Sequence, residues 1–567
     1  MLSPPKYILE YILAIFISAF LLLPSPSAKA QVILGPADAG RLKPEERRLP
    51  ATRAPSQQIA PPSIVPASPP PPGARAATFT LQRVQLDGAT AFTTQQMEDI
   101  YAPYMGHTTT LDTIYMIADA ITERYRSAGY FLSLAYVPDQ RIKDGNVTIR
   151  VVEGFVGKVD MEGTEINSDV VNLYIARLLG QRPLKAAELE SFLLYLNDLP
   201  GLSFRAVLAS QESEPEGEVK LTLILEKKHA ASSITYDNYG SRFLGPNEVS
   251  TFFTSSLASL QQTSISLLTA LPLSELMYIG LTHSIAATPA MTFDLIGSFT
   301  KAHPRHTLTL LDIDTRSTYL GAKISYQWIR QRDENLEISA TLDGKNTYST
   351  SLGIPMTDDR IRVLRLAAAY DIEDRWQGSN FMSCAVSRGL SFFNSSAAGD
   401  LNLSRAEAAP DFSKLEISFS RLQRITHDWS FMTSAMGQRA SGPLYSSEEF
   451  GYGGQVFGRA YDSSEITGDH GIAVSIETRY NGWSGEEKKI KVMPYAFYDL
   501  GKVWNDDAGQ VAKASASSAG FGFRAANKTG ISGNFAVAWP LIRDTAFPIY
   551  GNSGKAPRIV FQISQKF

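Results

Sequence analysis

The sequence predicts two small α+β modules followed by an antiparallel β-barrel of about 16 strands set in a membrane. Three observations carry this prediction. The N-terminus has the form of an export signal, and two consecutive stretches of roughly 75 residues repeat one order of elements. From residue 230 to 567 the chain alternates with a period of two and shows no helix-length periodic stretch.

Lys6 lies in a short n-region, an apolar run fills 11–23, and Ala28-Lys29-Ala30 supplies a small-x-small cleavage site, so residues 1–30 read as a signal peptide. That run is too short for a comfortable membrane-spanning helix. Glu10 in the n-region keeps an uncleaved anchor as the alternative. No later stretch has about 18 continuous apolar residues, so any crossing must use strands. Residues 31–49, with Pro44-Glu45-Glu46-Arg47-Arg48, predict a short polar helix. Residues 50–77 are dominated by proline, including Pro69 to Pro72, and predict an extended polyproline II tether. A helix on such a tether is a movable element.

The first module, 78–153, reads strand, helix, helix, strand, strand. Phe79, Leu81, Val84 and Leu86 lead to the turn Asp87-Gly88, and Ile114, Ile117, Ala118, Ile121 and Tyr125 fall on one helical stripe that stops at Gly129. Strands over 131–137 and 146–152 follow, joined through Lys143-Asp144-Gly145. The second module, 154–229, repeats the order. It has a strand at 155–161, a helix at 169–179, a second helix presenting Leu189, Phe192, Leu193 and Leu196, and strands at 203–208 and 219–225. Each module exposes a strand edge of the kind that accepts an extended peptide.

In 230–567 the alternation has two faces. Ile472, Val474, Ile476 and Thr478 oppose Ala473, Ser475, Glu477 and Arg479, and Phe535, Val537, Trp539 and Leu541 oppose Asn534, Ala536 and Ala538. The strands are long and rich in aromatics, which favours a barrel over a soluble sandwich. Phe561, Ile563 and the terminal Phe567 share the outward face of the last strand, the form of an outer-membrane insertion signal.

Residues 450–469 are too rich in glycine for a strand and have no helical period. Alone they would read as a surface loop. Within a barrel the surroundings differ. On the strand predicted over 491–503, Tyr495, Phe497, Asp499 and Gly501 share the face opposite Ala496, Tyr498 and Leu500, so Asp499 faces the lumen. Arg459, the loop's cation, can satisfy that carboxylate bidentately while stacking on Phe497 or Tyr461. Gly453, Gly454 and Gly458 let the loop turn sharply and approach the wall. The alternative is an external Arg459 and a solvated Asp499.

Composition narrows the function. The formal net charge is −4, which gives no reason to expect a nucleic-acid partner. Cys384 is the sole cysteine and the 7 histidines show no ligand spacing, so no metal, cofactor or catalytic cluster is expected.

Several motifs resemble the transporter subunit of two-partner (type V) secretion, the haemolysin secretion/activation family of ShlB, FhaC and HecB. They are Tyr136-Val137-Pro138-Asp139-Gln140, Val151-Val152-Glu153-Gly154, Leu196-Asn197-Asp198-Leu199-Pro200-Gly201, 453–461 (Gly-Gly-Gln-Val-Phe-Gly-Arg-Ala-Tyr) and Phe497-Tyr498-Asp499-Leu500-Gly501. The family belongs to a superfamily carrying periplasmic POTRA domains. The resemblance implies a lumenal loop in which 453–461 carries the family's conserved tetrad, with Gly453, Gly454, Gly458, Arg459, Ala460 and Tyr461 as its motif residues, docked on the wall motif Phe497, Asp499 and Gly501. Ala460 departs from the family's glycine, which places the loop tip either at negative φ or under slight strain. It also implies a monomer in the Gram-negative outer membrane, assembled by the insertion machinery and using neither ATP nor enzymatic chemistry. Its modules would sit in the periplasm and capture the N-terminal secretion domain of a β-helical exoprotein, while 31–49 would plug the lumen. The rival reading is an insertase that assembles other membrane proteins.

Overall fold

The computed structural model describes residues 35–42, 70–163, 169–209, 216–228, 230–256, 258, 260–483, 490–507, 510–542 and 556–567. The signal peptide read over 1–30 lies outside these residues, as does most of the proline tether.

The two modules share one sheet plan. In the first, Arg83–Asp87 runs parallel to Asn146–Val152, which pairs antiparallel with Leu134–Tyr136. In the second, Phe155–Gly163 is parallel to Glu218–Lys227, which pairs antiparallel with Leu202–Ala209. Helices cover one face of each sheet. Leu111–Ser127 buries Ile114, Ile117, Ile121 and Tyr125 against Val147, Ile149 and Val151. Asp169–Leu179 and Ala186–Asp198 bury Val171, Leu178, Leu189 and Leu196 against Leu221, Leu223 and Leu225. The strand read as one from Phe79 to Leu86 is two short ones, Thr78–Thr80 and Arg83–Asp87; Leu81 lies between them, wholly buried.

Glu153 ties the first module together. Its carboxylate accepts from the N–H groups of Thr90 and Ala91, each at 2.7 Å, from the Thr90 hydroxyl, and from the Tyr125 hydroxyl at 2.7 Å. Burial pushes this carboxyl up, but the hydrogen bonds outweigh burial and hold it below its ordinary value of 4.5. A depressed carboxylate adds stability at pH values above its unfolded pKa and loses it as pH falls through the folded one. Glu153→Gln is therefore expected to cost about 1–3 kcal/mol at neutral pH. The gap from wild type should close below about pH 4.5. Hydrogen exchange of the Leu111–Ser127 amides measures it, and a gap independent of pH would refute the role of the charge.

The second module leads into a closed barrel of 16 strands running from Ala231–Asp237 to Arg558–Lys566. Every neighbour in the wall is antiparallel, and successive strands pair except across the loop that contains 450–468 and at the seam. That seam joins the last strand to the first through five pairs, Gln562↔Asp237 to Lys566↔Ser233. The longest ladder, between Glu334–Ser351 and Ile354–Glu373, has 18 pairs. The outward face exposes Leu295, Leu320, Leu366, Phe521 and Ile559, an apolar band suited to lipid. Because the modules attach at Ala231, the Asp237 end of that strand is the end remote from them.

The second module is pinned to the near rim of the barrel. Tyr195 donates to the Gln327 carbonyl at 3.0 Å, Ser191 to the Arg330 carbonyl at 2.7 Å, and Arg330 pairs with Asp198.

Residues 35–42 differ from the helix read over 31–49. They form two 3-10 turns, Gly35–Ala37 and Ala39–Arg41. Gly35, Pro36 and Gly40 disfavour a continuing α-helix, and Asp38 instead caps the second turn by accepting from the Gly40 N–H at 2.8 Å. The remainder of 31–49 lies outside the described residues.

Candidate functional site

The stretch 450–469 is folded inside the barrel. Its ends are more ordered than its glycine content suggested. Phe450–Tyr452 pairs antiparallel with Ile466–Gly468, because Phe450, Tyr452 and Ile466 are buried against the wall. Between them Gly453, Gly454 and Gly458 all take positive φ, at 122°, 106° and 75°. A side chain at Gly453 would meet the Asp462 carbonyl at 2.0 Å, so the turn demands glycine for space as well as for backbone angle.

At the tip, Arg459 is 5% exposed and Asp499 wholly buried. Asp499 is on the inner face of Ile490–Trp504, and its carboxylate accepts from Arg459 Nη2 at 2.9 Å and Nε at 3.1 Å. The same carboxylate takes the backbone N–H groups of Gly458 and Arg459, at 3.2 and 3.1 Å, and the hydroxyls of Ser475 at 2.7 Å and Ser518 at 3.3 Å. Of the two stacking partners considered for the guanidinium, Phe497 is the one used, at 3.6 Å from the ring centroid. Gly501 makes the approach possible, since a Cβ there would lie 2.1 Å from the Tyr452 ring. Tyr461 donates to the Ser517 carbonyl at 2.9 Å, and Arg558 donates to the Tyr461 carbonyl. Ala460 is fully buried and lies outside the left-handed region, so its methyl replaces a glycine hydrogen without backbone strain.

Two parts of this site escaped the sequence reading. Arg459 also pairs with Glu477 at 2.6 Å, and Glu477 accepts from Arg479 and Arg524 as well, at 2.6 Å each. The available signal was parity, because Glu477 and Ser475 share the inward face of His470–Tyr480. A second ionic cluster lies at the remote end of the lumen. Arg405 is buried among Glu449 at 2.9 Å, Asp469 at 3.0 Å and Asp507 at 3.3 Å. Arg41 joins it through the Glu449 carboxylate at 3.1 Å, while Lys345 holds the Gly40 carbonyl at 2.8 Å. No local pattern marks contacts between such distant segments.

The loop leaves part of the lumen open. A cavity of about 500 Å³ beneath the tip is lined by Tyr239, Gln455, Arg459, Tyr495, Arg524 and Gln562. At the other end of the chain, Ile563 and Phe567 face outward, and the Phe561 ring lies 5.4 Å from that of Tyr236. Among the described residues no group of His, Cys, Asp and Glu is arranged to hold a metal ion.

Fold and site together define an outer-membrane β-barrel with POTRA-type modules at its N-terminal side and a loop docked in its lumen. The POTRA domain of ShlB type matches residues 79–154, and the haemolysin secretion/activation protein ShlB/FhaC/HecB matches 290–525. The chain belongs to this haemolysin secretion/activation family, whose barrel lies in the outer membrane with the POTRA domains in the periplasm. It is similar to the heme/hemopexin transporter protein HuxB of Haemophilus influenzae (strain 86-028NP), 29% identical over 27% of each chain. It is also similar to the outer membrane transporter CdiB of Escherichia coli O6:K15:H31 (strain 536 / UPEC), 24% identical over 40% of this chain and 38% of that one. The chain thus spans about a quarter of the length of HuxB, and well under half of that CdiB, in the parts that match. In fold it resembles CdiB from Escherichia coli with a TM-score of 0.68 and 17% identity, covering 90% of this chain and 94% of that structure.

Proposed function

We propose that this protein is a translocator that exports one partner exoprotein, of the β-helical haemolysin or adhesin kind, from the periplasm to the cell surface. The observation that carries this reading is the continuity of the chain. Modules with open sheet borders lead into a closed barrel whose lumen holds segments fixed there through side-chain contacts. Relatives whose names describe transporters support export rather than insertion of other membrane proteins.

The partner's N-terminal secretion domain adds as a strand to a module edge such as that of Leu202–Ala209, which lies at the border of its sheet. Residues 35–42 and the loop tip shape the resting pore, with Arg459 and Asp499 fixing the loop and 35–42 withdrawing during transport. No residue acts in catalysis and no ATP is used; folding of the cargo outside gives direction. The protein works as a monomer, and Phe561, Ile563 and Phe567 serve its insertion. Deleting residues 78–228 is expected to abolish secretion while the barrel still reaches the outer membrane. Secretion that continued from such a barrel would sink the capture role.

A further inference from the structure

The lipid-facing wall carries a pattern that export does not use. On four strands of one sector, Met291–Ala302, Ile313–Arg330, Ile354–Glu373 and Gly378–Gly389, the outward apolar run ends in a cation at the end remote from the modules. Phe299 gives way to Lys301, Leu320 to Arg316 one outward position beyond Thr318, Leu364 to Arg362 and Arg360, and Val386 to Arg388. These cations stand directly above the apolar band, at the level of lipid headgroups on the cell-surface side.

Their arrangement is costly unless an anion is present. Lys301 and Arg316 are register partners, and like charges directly opposite one another are destabilising. Arg360 and Arg362 lie two apart on one face. The nearby acids pair loosely. Asp314 is 3.8 Å from Lys301 and 3.3 Å from Arg316, Asp358 is 3.8 Å from Arg360, and Asp411 is 3.8 Å from Arg388. Five cations thus meet three carboxylates, and the side chains of Lys301, Arg316 and Arg388 remain 50%, 62% and 53% exposed. Beside them the exposed Phe393 packs edge-on to Phe392 at 4.6 Å, as aromatics do in a membrane interface. The arginines hold this bulge, Arg362 donating to the Phe393 carbonyl at 3.1 Å and Arg360 to Asn394 at 3.1 Å.

We propose that this sector binds the phosphorylated headgroup of lipopolysaccharide, the glycolipid of the outer leaflet. One phosphate bridges Lys301 and Arg316, Arg360 takes the next, and the acyl chains lie on the apolar band below. The placement against lipid selects this occupant over a soluble phosphate.

The test titrates the full-length protein in detergent with purified lipid A and follows bound lipid by native mass spectrometry. Lys301→Gln/Arg316→Gln/Arg360→Gln is expected to bind ~100-fold more weakly, from about 1 kcal/mol per cation. Lys301→Gln/Arg316→Gln, confined to exposed side chains, should already lose more than tenfold by the same measure. Lipid A stripped of its phosphates should fail to bind. The same change at Lys502 and Lys513, cations of another sector, should leave affinity unaltered. Wild-type affinity in the triple variant, equal binding of the dephosphorylated lipid, an equal loss at Lys502 and Lys513, or displacement by millimolar inorganic phosphate would each overturn the site.

Discussion

Arg459→Ala is expected to halt export and to free the loop tip from the wall. The replacement leaves the Asp499 carboxylate buried with only backbone N–H groups and two serine hydroxyls, and stripping a buried charge of its partner costs about 3–5 kcal/mol. Glu477 suffers less, because Arg479 and Arg524 remain on it. Asp499→Asn alone should be milder, and in the Arg459→Ala background it should add little. A double-mutant cycle on export rate, run beside limited proteolysis of residues 450–469, resolves the coupling. Additive losses would argue that the two residues act separately.

Removing residues 35–42 is expected to raise single-channel conductance severalfold, since a barrel of this strand number encloses an aqueous channel when nothing fills it. The segment's anchors include Arg41 on the Glu449 carboxylate and carbonyl, the Ser446 hydroxyl on Asp38, Lys345 on the Gly40 carbonyl, and the Ser241 hydroxyl on the Pro36 carbonyl at 2.6 Å. Arg41→Ala should give an intermediate, flickering conductance. An unchanged pore in the deletion would show that these turns are not what narrows it.

What could be read in advance follows the range of the signal. Alternation is a local property, so the parity that sets Asp499 apart from Tyr498 and Leu500 was legible, and so was the stripe Ile114, Ile117, Ile121 and Tyr125. The second partner of Arg459 was less so. A single motif drew attention to Asp499, while Glu477 stood in an unremarkable strand whose inward face only matters once the neighbours are known. The Arg405 cluster had no signal, because it joins one loop to two others and to the N-terminal segment. The helix read over 31–49 failed in its described part for a different reason. Polar residues near Pro44 suggested a helix, while Gly35, Pro36 and Gly40 break its start into short turns, which contacts with the barrel interior then hold.

The five-pair seam bears on how the protein is made. The other wall contacts join strands that follow one another around the wall, the widest step being the one across the loop that contains 450–468, so pairs can accumulate as the chain emerges; closure alone waits for the nine-residue last strand, Arg558–Lys566. Until then both border strands present unpaired N–H and C=O groups, the very edges on which sheets aggregate. A chain cut short before residue 558 would thus be a sticky, open sheet rather than a slightly smaller cylinder. The added entropic cost of bringing such distant ends together is modest. The hazard is one of time spent unclosed, and it makes the last strand the element whose arrival completes biogenesis.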